Sequence, residues 1–204
     1  MRQSLIIVDN FYDNPFEVRK IALEAKYPKP AAHTYPGKNS ESAYYTQEVH
    51  EKIKLLTGEP NIRPTKNSGC GYFRISLESD SHEQDIHIDP DSAWGGVLYL
   101  NLPHQLQEDS GTKFWRHKKL NIDRCPDSPE KGAQLGYTNY QEIYESLIYE
   151  DGNDRSKWEQ WASAPMKYNR LVLFDPKLWH SHGSNFGTDI NNGRLVQLFF
   201  LENE

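Results

Sequence analysis

From about residue 69 onward, the sequence consists of short apolar runs that are separated by turn-forming residues. Such runs are typical of β-strands, whereas amphipathic helices need longer segments with apolar residues three and four positions apart. The runs cover residues 71–77, 86–89, 97–102, 112–115, 171–174 and 194–201. This pattern constrains the fold most strongly, because it predicts a mainly β architecture for the larger part of the chain.

One short strand and two helices are predicted before this region. Residues 5–8 form an aliphatic run that is typical of a buried strand. Asn14 can cap a helix and Pro15 suits the first helical position, and the apolar residues that follow recur on one helix face. A second helix is predicted over residues 46–56, with Gly58 just beyond its end. We expect both helices to pack against the β-rich region.

Residues 121–168 differ from the apolar runs on either side, because they are polar and rich in Trp and Tyr. One helix is predicted there over residues 140–150, opened by a capping box of Thr138 and Gln141. We expect this segment to be an insertion over a core made of residues 69–120 and 169–204, with residues 1–68 as the N-terminal strand and supporting helices. A length of 204 residues fits a single domain over residues 1–204.

Charge and composition exclude several classes of protein. The 23 basic and 29 acidic residues give a net charge of −6, and no dense Lys/Arg run is present, which disfavours nucleic acid as a partner. The longest aliphatic run is far shorter than the roughly 20 residues of a membrane span, so we expect no membrane association. Cys70 and Cys125 belong to no metal-binding or redox motif. We therefore expect a cytoplasmic protein, and the sequence leaves its oligomeric state open.

A candidate metal site begins in the segment Asp85-Ile86-His87-Ile88-Asp89. Polar and apolar residues alternate there, so His87 and Asp89 project from the same face of an extended chain, about 6.5–7 Å apart. Both side chains could therefore reach one metal ion.

A third ligand is expected from a distant strand. The apolar run 171–174 is followed by a turn and then by His180, and His182 is a rival because both histidines share a face of an extended strand. Two histidines and one carboxylate leave three positions open on a metal, as in the non-haem Fe(II) oxygenases. Arg194 opens a strand that is apolar on both faces, where a buried guanidinium is costly unless an anion meets it.

These residues resemble the Fe(II)- and 2-oxoglutarate-dependent oxygenases, in a branch similar to the prolyl hydroxylases. The resemblance covers about residues 70–201. It rests on His87-x-Asp89, Gly95-Gly96-Val97-Leu98-Tyr99-Leu100-Asn101, Gly111-Thr112-Lys113-Phe114, Asn169-Arg170-Leu171-Val172-Leu173-Phe174, Trp179-His180-Ser181 and Gly193-Arg194-Leu195.

The resemblance implies a mainly β fold with flanking helices around a double-stranded β-helix, also called a jelly-roll or cupin-like core. It implies that His87, Asp89 and His180 are the catalytic iron ligands, with His180 preferred to His182 because the step from Trp179 to Ser181 matches the family. Cosubstrate binding would fall to three further residues. These are Arg194, which would hold the distal carboxylate of 2-oxoglutarate, together with Tyr99 and Asn101.

The reaction implied by the resemblance is hydroxylation. O₂ and 2-oxoglutarate would be converted to succinate and CO₂ while a peptide residue or a small molecule is hydroxylated. Branches that repair nucleobases usually carry a second arginine six residues after the first, and this chain has Phe200 there.

Two alternatives to this dioxygenase stay open. One is a non-catalytic jelly-roll binding protein, and the other is a cupin-type metal enzyme that does not use 2-oxoglutarate. Arg194 distinguishes the dioxygenase from the cupin-type enzyme, because a buried arginine has a purpose only if an anion docks beside the metal. A non-catalytic protein would have no reason to keep the two histidines, the aspartate and the arginine together. The sequence does not identify the substrate.

Overall fold

The computed structural model describes residues 3–29, 35–66, 69–81 and 83–203. These residues contain ten β-strands that form two antiparallel sheets of seven and three strands. In chain order the strands are β1 (Leu5–Val8), β2 (Lys38–Ala43), β3 (Ile62–Pro64), β4 (Tyr72–Ser76), β5 (Trp94–Tyr99), β6 (Thr112–His117), β7 (Trp158–Ala164), β8 (Leu171–Phe174), β9 (His180–His182) and β10 (Arg194–Asn203).

The α-helices of the described chain are α1 (Pro15–Glu24), α2 (Gln47–Thr57), α3 (Pro129–Gln134) and α4 (Tyr140–Tyr144), which continues as a π-helical turn over Glu145–Glu150. Short 3₁₀ turns cover Pro103–Gln105 and Arg155–Lys157. Helix α1 is capped by Asn14, whose side chain accepts a hydrogen bond from the backbone N–H of Glu17 at 3.4 Å. Thr46 caps α2, and Gly58 ends it with a left-handed φ of 68°. None of the described helices is long and apolar enough to cross a membrane.

The large sheet has the strand order β1-β8-β5-β10-β4-β2, with β3 paired to the far end of β10, and the small sheet has the order β7-β6-β9. All of these pairs are antiparallel. Strands β5 and β10 are therefore central, and their side chains are buried on both faces. This explains why they lack the polar alternation of a strand with one solvated face.

Two apolar clusters lie on opposite faces of the large sheet. On one face, Leu98, Leu173 and Phe199 pack with the buried sides of α1 and α2. On the other face, Val97 and Phe114 belong to a cluster shared with the small sheet. The mainly β fold with flanking helices is as predicted.

Strands β2 and β7 were not expected from the sequence. Strand β2 is a mostly polar edge strand that is held by backbone pairing with β4. It has no apolar face, which is the feature that predicts a strand from sequence. Strand β7 lies within the polar segment 121–168, yet it pairs with β6 as part of the small sheet. Segment 121–168 therefore supplies one core strand in addition to its helices. The assignment of residues 1–204 to one domain stays a prediction.

Two local predictions need correction. Residues 86–89 form no continuous strand, and only a single bridge pairs His87 with His180. The helix after residue 138 is capped by Asn139, whose side chain accepts from the N–H of Glu142 at 3.0 Å. Thr138 instead donates its hydroxyl and its N–H to the carboxylate of Glu142, so Gln141 forms no capping box with it.

Asn101 follows β5 and connects it to the start of β10. Its fully buried amide donates to the carbonyl of Gly193 at 2.8 Å and accepts from the N–H of Leu195 at 2.7 Å. The side chain thus satisfies two backbone groups where β10 begins.

We predict that Asn101→Ala lowers the free energy of unfolding by about 2–4 kcal/mol, because it leaves two buried backbone groups without partners. Urea denaturation measures this change. Asn191→Ala, at an exposed asparagine, is the control and should stay within about 0.5 kcal/mol of the parent protein. Equal stability of the two variants would contradict this structural role.

Candidate metal centre

A cavity on the inner face of the large sheet collects most of the polar residues that the sequence singled out. Residues of β4, β5, β6, β8, β9 and β10 line it, together with the segment that contains His87 and Asp89. Its charged and histidine side chains are Arg74, His87, Asp89, His180, His182 and Arg194.

The cluster formed by His87, Asp89 and His180 has the geometry of a metal site. Each residue offers one ligand atom, and these atoms all lie within 4.8 Å of one another. Nε2 of His180 is 3.2 Å from Oδ2 of Asp89, and the two imidazole centroids are 4.5 Å apart. Both histidines are buried.

Backbone hydrogen bonds bring the two segments of this cluster together. His87 donates its N–H to the carbonyl of His180 at 2.9 Å, and His180 returns a bond to the carbonyl of His87 at 3.0 Å. Asp89 donates its N–H to the carbonyl of Pro176 at 2.9 Å. The spacing of the three side chains is therefore set by main-chain contacts.

Each ligand histidine is oriented by a carbonyl group. Nδ1 of His87 is 2.8 Å from the carbonyl oxygen of Asp85, and Nδ1 of His180 is 2.8 Å from that of Leu178. Since a carbonyl oxygen only accepts, each Nδ1 carries the proton and donates it. In a neutral ring the Nε2 lone pair is then free for a metal, which is the usual arrangement of metal-bound histidines.

The charge states of these residues also suit a divalent metal. Burial, reinforced by repulsion from His180, lowers the pKa of His87 to about 4, so the ring is neutral at physiological pH. Burial raises the pKa of Asp89, but its contact with His180 and the positive charge of Arg74 outweigh this effect, so the pKa of Asp89 lies below its ordinary value. Two imidazole nitrogens and one carboxylate oxygen fit Fe(II) with open coordination positions.

His182 lines the same cavity but does not join the cluster. It lies two residues further along β9, opposite Thr112, and its Nδ1 is 2.6 Å from the carbonyl oxygen of Gly183. Of the two rival histidines, the structure brings His180 to His87 and Asp89. The assignment of the ligands themselves stays a prediction.

Arg194 lies in the same cavity and is buried. Its Nε donates to the carbonyl of Ser110 at 3.1 Å, and its guanidinium carbon is 5.9 Å from the ring centre of Tyr99. Burial lowers the pKa of Arg194, while Tyr99 acts in the opposite direction. No carboxylate within the described ranges forms an ion pair with it, so an incoming anion would have a positive charge to meet.

The other two residues expected at the cosubstrate site have different positions. The hydroxyl of Tyr99 is 2.7 Å from that of Thr112, which lines the cavity, and its ring lies beside Arg194. Asn101 does not line the cavity, because both ends of its amide bind the backbone of the Gly193–Leu195 step. The structure thus brings Tyr99 to Arg194 and leaves Asn101 outside the site.

Segment 121–168 supports the residues that precede His87. The carboxylate of Asp85 binds Arg155 through two hydrogen bonds of 2.5 and 3.0 Å, and the N–H of Asp85 donates to the side chain of Asn153. The N–H of Ile86 donates to the carbonyl of Gly152 at 3.1 Å. A Cβ at Gly152 would lie 2.5 Å from the carbonyl oxygen of Ile86, so only glycine allows this approach.

Arg74 and Tyr35 also line the cavity. The sequence leaves the role of Arg74 open between packing and contact with cosubstrate or substrate. Arg74 lies in the middle of β4, on the face opposite Phe73 and Ile75. A charged residue inside a short apolar strand is the signal that could have identified it. No sequence pattern indicated Tyr35.

Comparison with known proteins yields one family and a set of solved structures. A family model described as "Family of unknown function (DUF6445)" matches residues 1–201. No curated protein matches the chain.

Two solved structures share the fold over nearly the whole chain. One is the "non-heme alpha ketoglutarate dependent epimerase SnoN from nogalamycin biosynthesis", with a TM-score of 0.52, 14% identity, and coverage of 99% of this chain and 77% of that one. The other is HygX from Streptomyces hygroscopicus "with nickel and 2-oxoglutarate bound", with a TM-score of 0.54, 8% identity, and coverage of 99% and 84%. At such identities the likeness shows a shared fold. The jelly-roll core predicted from the sequence is therefore confirmed.

We predict that His180→Ala weakens Ni(II) binding by at least about 100-fold. Loss of a residue that only hydrogen-bonds to a metal ligand lowers metal affinity roughly 10–100-fold, and loss of the ligand itself should cost more. His182→Ala is the matched control and should stay within about threefold of the parent protein. Isothermal titration calorimetry with Ni(II), a redox-inert substitute for iron, measures both affinities. The reverse order of effects would identify His182 as the ligand.

Proposed function

This chain belongs to the family of unknown function DUF6445, and we propose that it is an Fe(II)- and 2-oxoglutarate-dependent oxygenase. One observation carries the proposal, namely the cluster of His87, Asp89 and His180 in the same cavity as the buried Arg194. A metal site alone would fit many enzymes. A metal site with a buried arginine beside it favours an anionic cosubstrate that also reaches the metal.

The protein residues would hold the two cofactors in different ways. His87, Asp89 and His180 would bind iron and leave positions open for other ligands. Arg194 would bind the distal carboxylate of 2-oxoglutarate, and the Tyr99 ring beside its guanidinium would restrict its movement. The bond from Nε of Arg194 to Ser110 fixes the direction of the guanidinium before the cosubstrate arrives.

When bound, iron and 2-oxoglutarate would supply the oxidising chemistry, in which O₂ and 2-oxoglutarate give succinate and CO₂ as a substrate C–H bond is oxidised. The protein would contribute position and exclusion of water. Apolar side chains, among them Val97, Phe174, Val196 and Leu198, form much of the cavity wall. No side chain is required as a general base.

We propose hydroxylation of a small molecule or a peptide residue as the outcome, in a branch similar to the prolyl hydroxylases. SnoN, which shares the fold, is described as an epimerase. The first test therefore follows the fate of 2-oxoglutarate, which does not depend on how the substrate reaction ends. A cytoplasmic location and a single domain remain part of the proposal.

We expect the purified protein to develop a weak visible metal-to-ligand band when Fe(II) and 2-oxoglutarate are added without oxygen. Admission of air should then produce succinate even without substrate. Metal binding without band or succinate would instead favour a cupin-type enzyme that does not use 2-oxoglutarate. Failure to bind metal would favour a non-catalytic binding protein.

We also predict that Arg194→Gln keeps its affinity for Ni(II) and loses about 100-fold in affinity for 2-oxoglutarate, because two charge-assisted hydrogen bonds are lost. Arg116→Gln is the control, since Arg116 lies on β6 and does not line the cavity. Titration of the visible band measures the cosubstrate affinity. Normal cosubstrate binding by Arg194→Gln would show that Arg194 has another role.

A further inference from the structure

A second arginine, Arg74, lies in the cavity of the metal cluster. Its Nε donates to the side-chain oxygen of Asn39 on β2 at 2.7 Å, and its guanidinium carbon is 5.5 Å from the ring centre of Tyr35. The Tyr35 ring centre is in turn 5.2 Å from that of His87. Arg74 is thus separated from a candidate metal ligand by one aromatic ring.

Arg74 and Arg194 are held in the same way. In each, Nε is fixed by one acceptor, the side chain of Asn39 for Arg74 and the carbonyl of Ser110 for Arg194. Neither Nη group of Arg74 has a hydrogen-bond partner among residues 3–29, 35–66, 69–81 and 83–203, and the same is true of Arg194. Each guanidinium therefore offers a pair of donors in a fixed direction, which matches the two oxygens of a carboxylate.

The register of the sheet places the two arginines side by side. Arg74 pairs with Val196 across β4 and β10, and Arg194 pairs with Ser76. The arginines are therefore diagonal neighbours on one face, with backbones about 7–8 Å apart. Burial, reinforced by repulsion from Arg194, lowers the pKa of Arg74 to about 10, although Tyr35 and Asp89 oppose the shift. Arg74 is still charged at neutral pH.

With the metal and cosubstrate of the proposed function in place, 2-oxoglutarate alone would not balance the charges of both arginines. A divalent metal and two guanidinium groups, set against the carboxylate of Asp89, leave a net charge of three positive units. The dianion 2-oxoglutarate neutralises two of them. One positive charge then remains in a largely apolar cavity, where an unpaired charge is costly.

We propose that Arg74 is a specificity-determining residue that binds a carboxylate group of the substrate. The inference rests on the proposed oxygenase function and extends it, because it assigns the substrate to the carboxylic acids. A single remaining charge matches a carboxylate and would be exceeded by a phosphate dianion. Asn39 is a positioning residue, since it orients the guanidinium through Nε, and Tyr35 separates the bound carboxylate from His87.

The test uses the full-length protein loaded with Fe(II) and saturating 2-oxoglutarate without oxygen, in a buffer free of other carboxylates. The visible band first reports whether the cosubstrate is bound. Trifluoroacetate is then titrated as the carboxylate probe, with trifluoroacetamide as its neutral counterpart of similar size. The ¹⁹F relaxation rate reports binding, because fluorine close to the paramagnetic iron relaxes faster.

We expect trifluoroacetate to bind in preference to the amide and to lose at least about 10-fold in affinity in Arg74→Gln, which corresponds to about 1.4 kcal/mol. The visible band of this variant should titrate within about threefold of the parent protein. Arg116→Gln is again the control and should match the parent in both measurements.

Four results would contradict the proposal. Trifluoroacetate that binds equally well to Arg74→Gln, or no better than the amide, would show that Arg74 does not attract the anion. A loss of more than about 10-fold in 2-oxoglutarate affinity in Arg74→Gln would assign Arg74 to the cosubstrate. Absence of the visible band in the parent protein would overturn the oxygenase function itself, and this is seen before any probe is added.

Discussion

The site depends on one pair of backbone hydrogen bonds, exchanged between His87 and His180. These two bonds join a short segment outside the regular strands to β9 at the edge of the small sheet. They place two imidazole rings with a centroid separation of 4.5 Å, and the neighbouring bond from Asp89 to Pro176 adds the carboxylate. Main-chain hydrogen bonds thus bring the two histidines and the aspartate together, and His180 also contacts Asp89 through its side chain.

Much of the candidate metal centre could be predicted from the sequence because its signals are local. The alternation of polar and apolar residues around His87 and Asp89 predicts that both side chains lie on one face of the chain, and the apolar runs predict the central strands. The role of Arg74 stayed open and Tyr35 was not predicted, because the position of Arg74 in the cavity depends on the pairing of β4 with β2 and β10. Strand β2 is mostly polar, so its composition does not indicate that its residue Asn39 binds Arg74.

Asn101 was expected at the cosubstrate site and has a different position in the structure. Its position in a motif shared with a family suggested a role in cosubstrate binding, whereas its amide is occupied by the backbone of β10. A sequence motif predicts the position of a residue in the sheet, whereas the role of its side chain depends on the hydrogen bonds that the side chain forms there. Tyr99, two residues earlier, faces the small sheet and contacts both Thr112 and Arg194.

The segment around His87 is held on one side by β9 and on the other by residues 152–155. The approach of Gly152 to Ile86 admits no side chain, and Arg155 binds the residue whose carbonyl orients His87. Replacement of segment 121–168 by the corresponding segment of a relative would therefore also affect the residues that precede His87. A chimera would keep the position of His87 only if Gly152, Asn153 and Arg155 were carried over together, because these residues bind Asp85 and Ile86.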